Sequence, residues 1–137
     1  MITLDSSGVL AFVNYADRRH AQVRDTLLDE VGPLIIPVSI LSEITYMIES
    51  KLTYGTLVSF ISDIEMGSYT LDCGEQDIPR IRELVRRHAD FPLGFADAAV
   101  IACAERNGGR VLTLDMRHFG VVAREGTLIL LPGWDNQ

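Results

Sequence analysis

The sequence predicts a layered α/β domain on a mainly parallel sheet. Three observations predict it. Five short runs of aliphatic and β-branched residues alternate with helical segments, so successive strands are joined by crossovers long enough to be right-handed. Pro and Gly punctuate the boundaries, with Pro33 and Pro37 around one strand and Gly108-Gly109 after an apolar helix. The tripeptide Thr-Leu-Asp occurs at residues 3–5, 70–72 and 113–115, each time after a short apolar run, as if a strand ends on a carboxylate.

In chain order, residues 1–4 (MITL) read as the first strand. Residues 7–15 and 18–31 read as helices split between Asn14 and Arg18. The second strand spans 33–37. A helix follows over 39–52 with Ser39 as its cap, then another over 54–67 that Gly67 ends. Residues 68–72 form the third strand. The helix over 78–90 carries Pro79 near its start, where a missing N–H costs no helical bond. Residues 93–109 form a helix rich in alanine, 110–115 the fourth strand and 127–132 the fifth. No element is assigned to 116–126. No linker or repeat interrupts the chain, which predicts one domain over 1–137.

Composition narrows the function. The chain is 47% hydrophobic with a net charge of −7, so charge alone makes nucleic acid a poor first guess. Of the 12 basic residues, only Lys51 is lysine; arginine suits bidentate contact with phosphate or carboxylate. The basic clusters are Arg18-Arg19-His20 with Arg24, Arg86-Arg87-His88, and Arg117-His118. Cys73 and Cys103 have no Cys or His companions at metal-ligand spacing, and Cys103 belongs in the core. The first residues carry no basic region, and no apolar stretch reaches the ~18 residues of a membrane span. A cytoplasmic protein is expected.

The chemistry rests on carboxylates. Asp97 interrupts a small and apolar run, with Leu93, Gly94, Val100 and Ile101 as helical neighbours. An ionised carboxylate there is costly unless a cation or donors compensate it. Glu43 shares a helical face with Ile40 and Met47, and Asp5 closes the first strand before Ser6-Ser7. Each alone also reads as a helix cap or a solvated position. With Asp115 they make four carboxylates at or near element ends, the oxygen-rich set that Mg2+ or Mn2+ requires. Two such ions about 3.5–4 Å apart can activate water and stabilise the leaving oxygen of a phosphodiester.

At these residues the chain resembles PIN-domain ribonucleases of the VapC toxin type. The resemblance rests on ITLDSSGVLAF, VSILSEITYMI, FPLGFADAAVIACAERNGGRVLTLDMRHF and the closing LILLP, in the family's order. It implies a PIN-like three-layer α/β/α fold with sheet order 3-2-1-4-5. It implies that Asp5, Glu43, Asp97 and Asp115 are the catalytic and metal-binding residues, with Mg2+ or Mn2+ as cofactor. Ser6 and Thr113 are then supporting hydroxyls, and Arg117 and His118 contact substrate. In that order Asp72 lies two strand spacings, ~10 Å, from the first strand and is a turn or cap residue. Asp90 stays outside the quartet. The resemblance further implies an RNA substrate, a small VapB-type antitoxin that blocks the site, and a homodimer. An acidic surface suits a basic antitoxin tail, and the segment 42–67 offers apolar residues for either contact. Other readings remain open: a catalytically silent PIN-fold interaction module, or a metal-dependent nuclease on structured DNA. A phosphoacceptor domain would want a lysine at a strand end, and Lys51 is not there. An aspartyl-nucleophile phosphatase would want an acid where Ser7 stands.

Overall fold

The computed structural model describes residues 1–133; the last four residues of the domain expected over 1–137 lie outside the described residues. Strands β1 (Ile2–Leu4), β2 (Leu34–Pro37), β3 (Thr70–Asp72), β4 (Arg110–Leu112) and β5 (Ile129–Leu131) form one sheet in the order β3-β2-β1-β4-β5. Every pairing is parallel. This is the order the resemblance implies, with parallel pairing throughout. β1 is central and all three of its residues are fully buried, as expected for a parallel strand covered on both faces.

The helices are α1 (Ser6–Val13), α2 (His20–Leu28), α3 (Leu41–Lys51), α4 (Tyr54–Glu65), α5 (Ile78–Arg87), α6 (Phe95–Arg106) and α7 (Met116–Ala123). The chain steps from β1 to β2 to β3 in one direction, then returns to β4 and β5. Right-handed crossovers therefore place α1–α4 on one face and α5–α7 on the other. The packing agrees: α1 meets α2 and α3, α3 meets α4, and α6 meets α5 and α7. α6 lies against β1, β2 and β4, and Ala98–Ala104 are all buried, including Cys103. Small side chains let this helix approach the sheet closely.

α1 is equally close on the other side. A Cβ on Gly8 would come within 2.8–2.9 Å of the Leu112 side chain and carbonyl oxygen. Glycine thus lets the first turn of α1 rest directly on the end of β4. At the opposite end of the sheet, Glu30 joins the Met1 ammonium (2.8 Å) to the Arg110 guanidinium (2.7 Å). No helix among the described residues is long and apolar enough to cross a membrane.

Three expectations need correction. The fourth strand stops at Leu112, because Asp115 leaves the sheet to cap an unforeseen helix, α7. Gly120, Val121 and Val122 are weak helix formers, but the Asp115 cap and burial of Phe119 and Val122 outweigh propensity. Ser39 is not a cap: it lies within a 3-10 turn, Val38–Ile40, and α3 begins at Leu41. The helix expected to reach residue 90 stops at Arg87, where the chain turns toward α6. Asp72, expected as a turn or cap residue, accepts the Gly74 N–H in the turn after β3 but caps no helix, and it is also an ion-pair anchor. It ends edge strand β3 and accepts two bonds from Arg106 (2.6 and 3.1 Å), which also donates to Asp77 (2.8 and 2.9 Å).

Candidate metal centre

The carboxyl ends of β1 and β4 meet at the switch point of the sheet, and the acidic residues gather there. The Asp5 N–H donates to the Leu112 carbonyl (2.9 Å), which staples the end of β1 to β4. Extended backbone at Asp5 (φ −85°, ψ 159°) begins α1, yet its side chain makes no cap bond. Its Oδ2 instead accepts from Ser7 Oγ and from Thr113 Oγ1, both at 2.9 Å. Ser7 Oγ accepts from the Leu114 N–H (3.0 Å), and Thr113 Oγ1 accepts from the Asp115 N–H (3.0 Å). Two hydroxyls therefore lock the first carboxylate to the β4–α7 turn that carries another.

Asp115 is gripped at both oxygens by one residue. Oδ1 accepts from the His118 N–H (3.1 Å) and Oδ2 meets His118 Nδ1 (2.9 Å). Asp97 projects from the first turn of α6 toward this pair, and Asp97, Asp115 and His118 each offer a ligand atom within 4.8 Å of the others. The Phe91 ring packs 5.3 Å from the imidazole, and the Arg117 guanidinium lies 5.7 Å from the centre of the same ring. Glu43, exposed in the first turn of α3, accepts from Ser6 Oγ (3.3 Å).

The electrostatics follow from this crowding. Asp5 is only 5% exposed, and burial pushes its carboxyl above the usual range. The bonds from Ser7 and Thr113 and the Ser6 N–H oppose that shift, while the charge of Asp115 adds to it. Half-buried Asp97 is pushed up to about 6, first by burial, then by Asp5 and Asp115, with Glu43 adding and His118 opposing. A divalent cation would relieve this excess of negative charge, and the carboxylate-rich donor set fits a hard ion. Among the described residues, Asp97, Asp115 and His118 form a group whose ligand atoms are close enough together that a divalent ion could fit there.

Of the expected site residues, Asp97 and Asp115 converge directly, Asp5 stands beside them in its hydroxyl cradle, and Glu43 joins the rim through Ser6. Of the two expected supporting hydroxyls, Thr113 Oγ1 donates to Asp5 and Ser6 Oγ to Glu43. His118 joins the acids themselves, and Arg117 reaches over Phe91. Sequence reasoning missed Ser7 and Phe91. A signal for Ser7 existed: an Asp-x-Ser step where a strand turns into a helix. Phe91 had none, because its partners are distant in sequence. Several members of the other basic clusters have partners away from the acids. Arg24 pairs with Asp25, His20 faces the Ala11 carbonyl, and Arg87 and His88 meet Glu125.

Comparison with known proteins places these features in context. A family model described as PIN domain matches residues 2–125. Ribonuclease VapC26 of Mycobacterium tuberculosis is 27% identical over 121 residues, 87% of this chain and 90% of that protein. Among solved structures, Mycobacterium tuberculosis VapC20, described as a Sarcin-Ricin loop cleaving toxin, superposes with a TM-score of 0.76 at 17% identity, covering 88% of this chain and 95% of that one. VapBC2 from Rickettsia felis, bound to a DNA fragment from its promoter, gives 0.71 at 18% identity, covering 98% and 100%. FitAcB from Neisseria gonorrhoeae gives 0.64 at 15% identity, covering 95% and 96%. At these identities the structural likeness is one of fold.

Proposed function

The chain belongs to the PIN domain family, and from that premise we propose that it is a metal-dependent endoribonuclease toxin of the VapC kind, inhibited by a VapB-type antitoxin. The observation that carries the reading is the meeting of Asp97 and Asp115 beside buried Asp5 at the carboxyl ends of β1 and β4. The relative named Ribonuclease VapC26 supports the substrate class, and the VapBC2 complex supports the partner.

Each residue then has a role. Asp97 and Asp115 hold Mg2+ or Mn2+, with Asp5 completing the negative pocket. When bound, such an ion supplies the positive charge that water activation and leaving-group stabilisation need. Ser7 and Thr113 fix the direction of the Asp5 carboxylate, so its geometry does not depend on ligand binding. Glu43, exposed at the rim and tethered by Ser6, orients the attacking water and can take up its proton. Arg117 is exposed beside the acids and is placed to meet an RNA phosphate. A net charge of −7 is compatible with RNA binding because much of the local negative charge is neutralised when the site is loaded. Exposed Tyr46, Tyr54, Val58, Ile61 and Met66 on and after α3 and α4 offer apolar surface for an antitoxin or for a second copy in a homodimer. The protein acts in the cytoplasm on this reading.

The test uses protein freed of antitoxin, with total RNA and matched DNA, in Mg2+ or Mn2+ and in EDTA. Wild type and Asp72→Asn cut RNA only with metal. Asp97→Asn loses at least about 100-fold of that activity. Cleavage of RNA in EDTA, or an active Asp97→Asn, would overturn the reading.

A further inference from the structure

We infer that the imidazole of His118 is itself a ligand in the metal centre, so that the site prefers a transition ion such as Mn2+ to Mg2+. The inference rests on the metal-dependent reading above and concerns which atoms of this chain form the site. The first observation is the grouping. Among the described residues, the ligand atoms that come within 4.8 Å of one another belong to Asp97, Asp115 and His118. Asp5 stands apart from that group: its Oδ2 already accepts two hydroxyl bonds.

The second observation is the geometry of the Asp115–His118 pair. His118 uses its backbone N–H to occupy Oδ1 of Asp115, which leaves Oδ2 and Nδ1 side by side at 2.9 Å. Ligand atoms about 2.1 Å from a central ion are about 3.0 Å apart at neighbouring corners of an octahedron. The pair therefore has the spacing of two adjacent ligands. Asp97 offers a third ligand atom within 4.8 Å of one on each of these two residues. Phe91 packs against the imidazole and limits its rotation, so Nδ1 is held toward Oδ2. The other two histidines lie elsewhere: His20 Nδ1 faces the Ala11 carbonyl, and His88 Nε2 is 3.6 Å from a Glu125 oxygen.

A nitrogen donor discriminates among metals. Mg2+ favours oxygen ligands and gives up its waters reluctantly, whereas imidazole binds first-row transition ions well. A site of two carboxylates and one imidazole should bind Mn2+ more tightly than Mg2+, and removing the imidazole should erase most of that difference.

The experiment reads metal binding, not cleavage. Mn2+ and Mg2+ are titrated calorimetrically into wild type, His118→Ala and His118→Asn, and Mn2+-loaded samples are examined by pulsed EPR for nitrogen modulation, with and without [15N]histidine. The asparagine variant keeps a polar group beside Asp115 in case the alanine variant folds poorly. Wild type is expected to bind Mn2+ about tenfold or more tighter than Mg2+ and to show modulation that changes on histidine labelling. Both variants are expected to lose that modulation and about tenfold in Mn2+ affinity, with a smaller change for Mg2+. Mn2+ binding without histidine nitrogen coupling, coupling that persists in the variants, or equal losses for both ions would overturn the inference and leave the nuclease reading intact. Failure to bind either ion would overturn both.

Discussion

Asp97 illustrates a conflict between stability and chemistry at the scale of one residue. Its carboxyl is pushed up to about 6 by burial and by the neighbouring acids. A folded-state value above the ordinary 3.8 means the native state binds the proton more tightly than the unfolded chain. Below about pH 4 both states are protonated and the fold carries no penalty. As pH rises from about 4 through about 6, the unfolded chain ionises more readily and stability is lost, levelling off above that range. Metal-free wild type should therefore be less stable at pH 7 than at pH 5 through this group. Asp97→Asn should flatten that dependence and raise metal-free stability at pH 7 by about 1 kcal/mol, after discounting for solvent at a half-buried site. Urea unfolding at the two pH values checks this. A pH dependence unchanged by the substitution would show that Asp97 is not the strained group. Asp72 behaves in the opposite way. The Arg106 guanidinium holds its carboxyl below the usual range, so its stabilising contribution is present at neutral pH and lost only in acid. Asp72→Asn should therefore cost stability while leaving the centre in place.

At the scale of elements, the centre depends on how closely two helices approach the sheet. Gly8 brings α1 onto β4, and that contact sets the distance between Ser7 and the Asp5–Thr113 pair. Gly8→Ala would place a methyl group against the Leu112 carbonyl, which cannot rotate away. We expect α1 to be displaced, with a loss of about 1–3 kcal/mol and a fall in Tm of roughly 5–10 °C. Cleavage should fall as well, because Asp5 loses the Ser7 half of its hydroxyl cradle. An unchanged Tm in a thermal melt would mean that α1 can shift without cost. α7 makes a complementary point. Its capping residue is Asp115, so the same carboxylate starts a helix and faces the acids. The cap orients the Asp115 carboxylate along with the helix.

At the scale of the whole molecule, strand order decides which carboxylates meet. β1 and β4 are neighbours at the switch point, so Asp5 and Asp115 sit together, and α6 places Asp97 over the same end. β3 is at the edge, which keeps Asp72 away and leaves it to pair with Arg106. The fold thus concentrates like charge at one end and stabilises the other with the Met1–Glu30–Arg110 cluster. A cation that binds only the folded state should stabilise it by about 2.7 kcal/mol at a free concentration of 100 times its Kd. Thermal melts in Mn2+ should accordingly show a rise of several degrees over EDTA, and Asp97→Asn should show little of it. Equal shifts in the two proteins would place the stabilising ion elsewhere.

The alternation of strands and helices, the apolar character of α6 and the candidacy of Asp97 were legible in the residue order alone, because periodicity and a carboxylate in an apolar run are local signals. The chain's likeness to a family also supplied the sheet order and the acidic quartet. Local signals could not separate Ser6 from Ser7, since both follow Asp5 and only the α1–β4 contact at Gly8 decides which hydroxyl meets the carboxylate. They could not reveal α7, whose weak propensity is overcome by a cap and buried side chains. Nor could they distinguish Asp72, Asp5 and Asp115, three copies of one tripeptide. Their different surroundings arise from lateral position in the sheet, which pairings distant in sequence decide. His118 and Phe91 join the centre for the same reason: a side chain's chemical partners are set by contacts that only the folded chain makes.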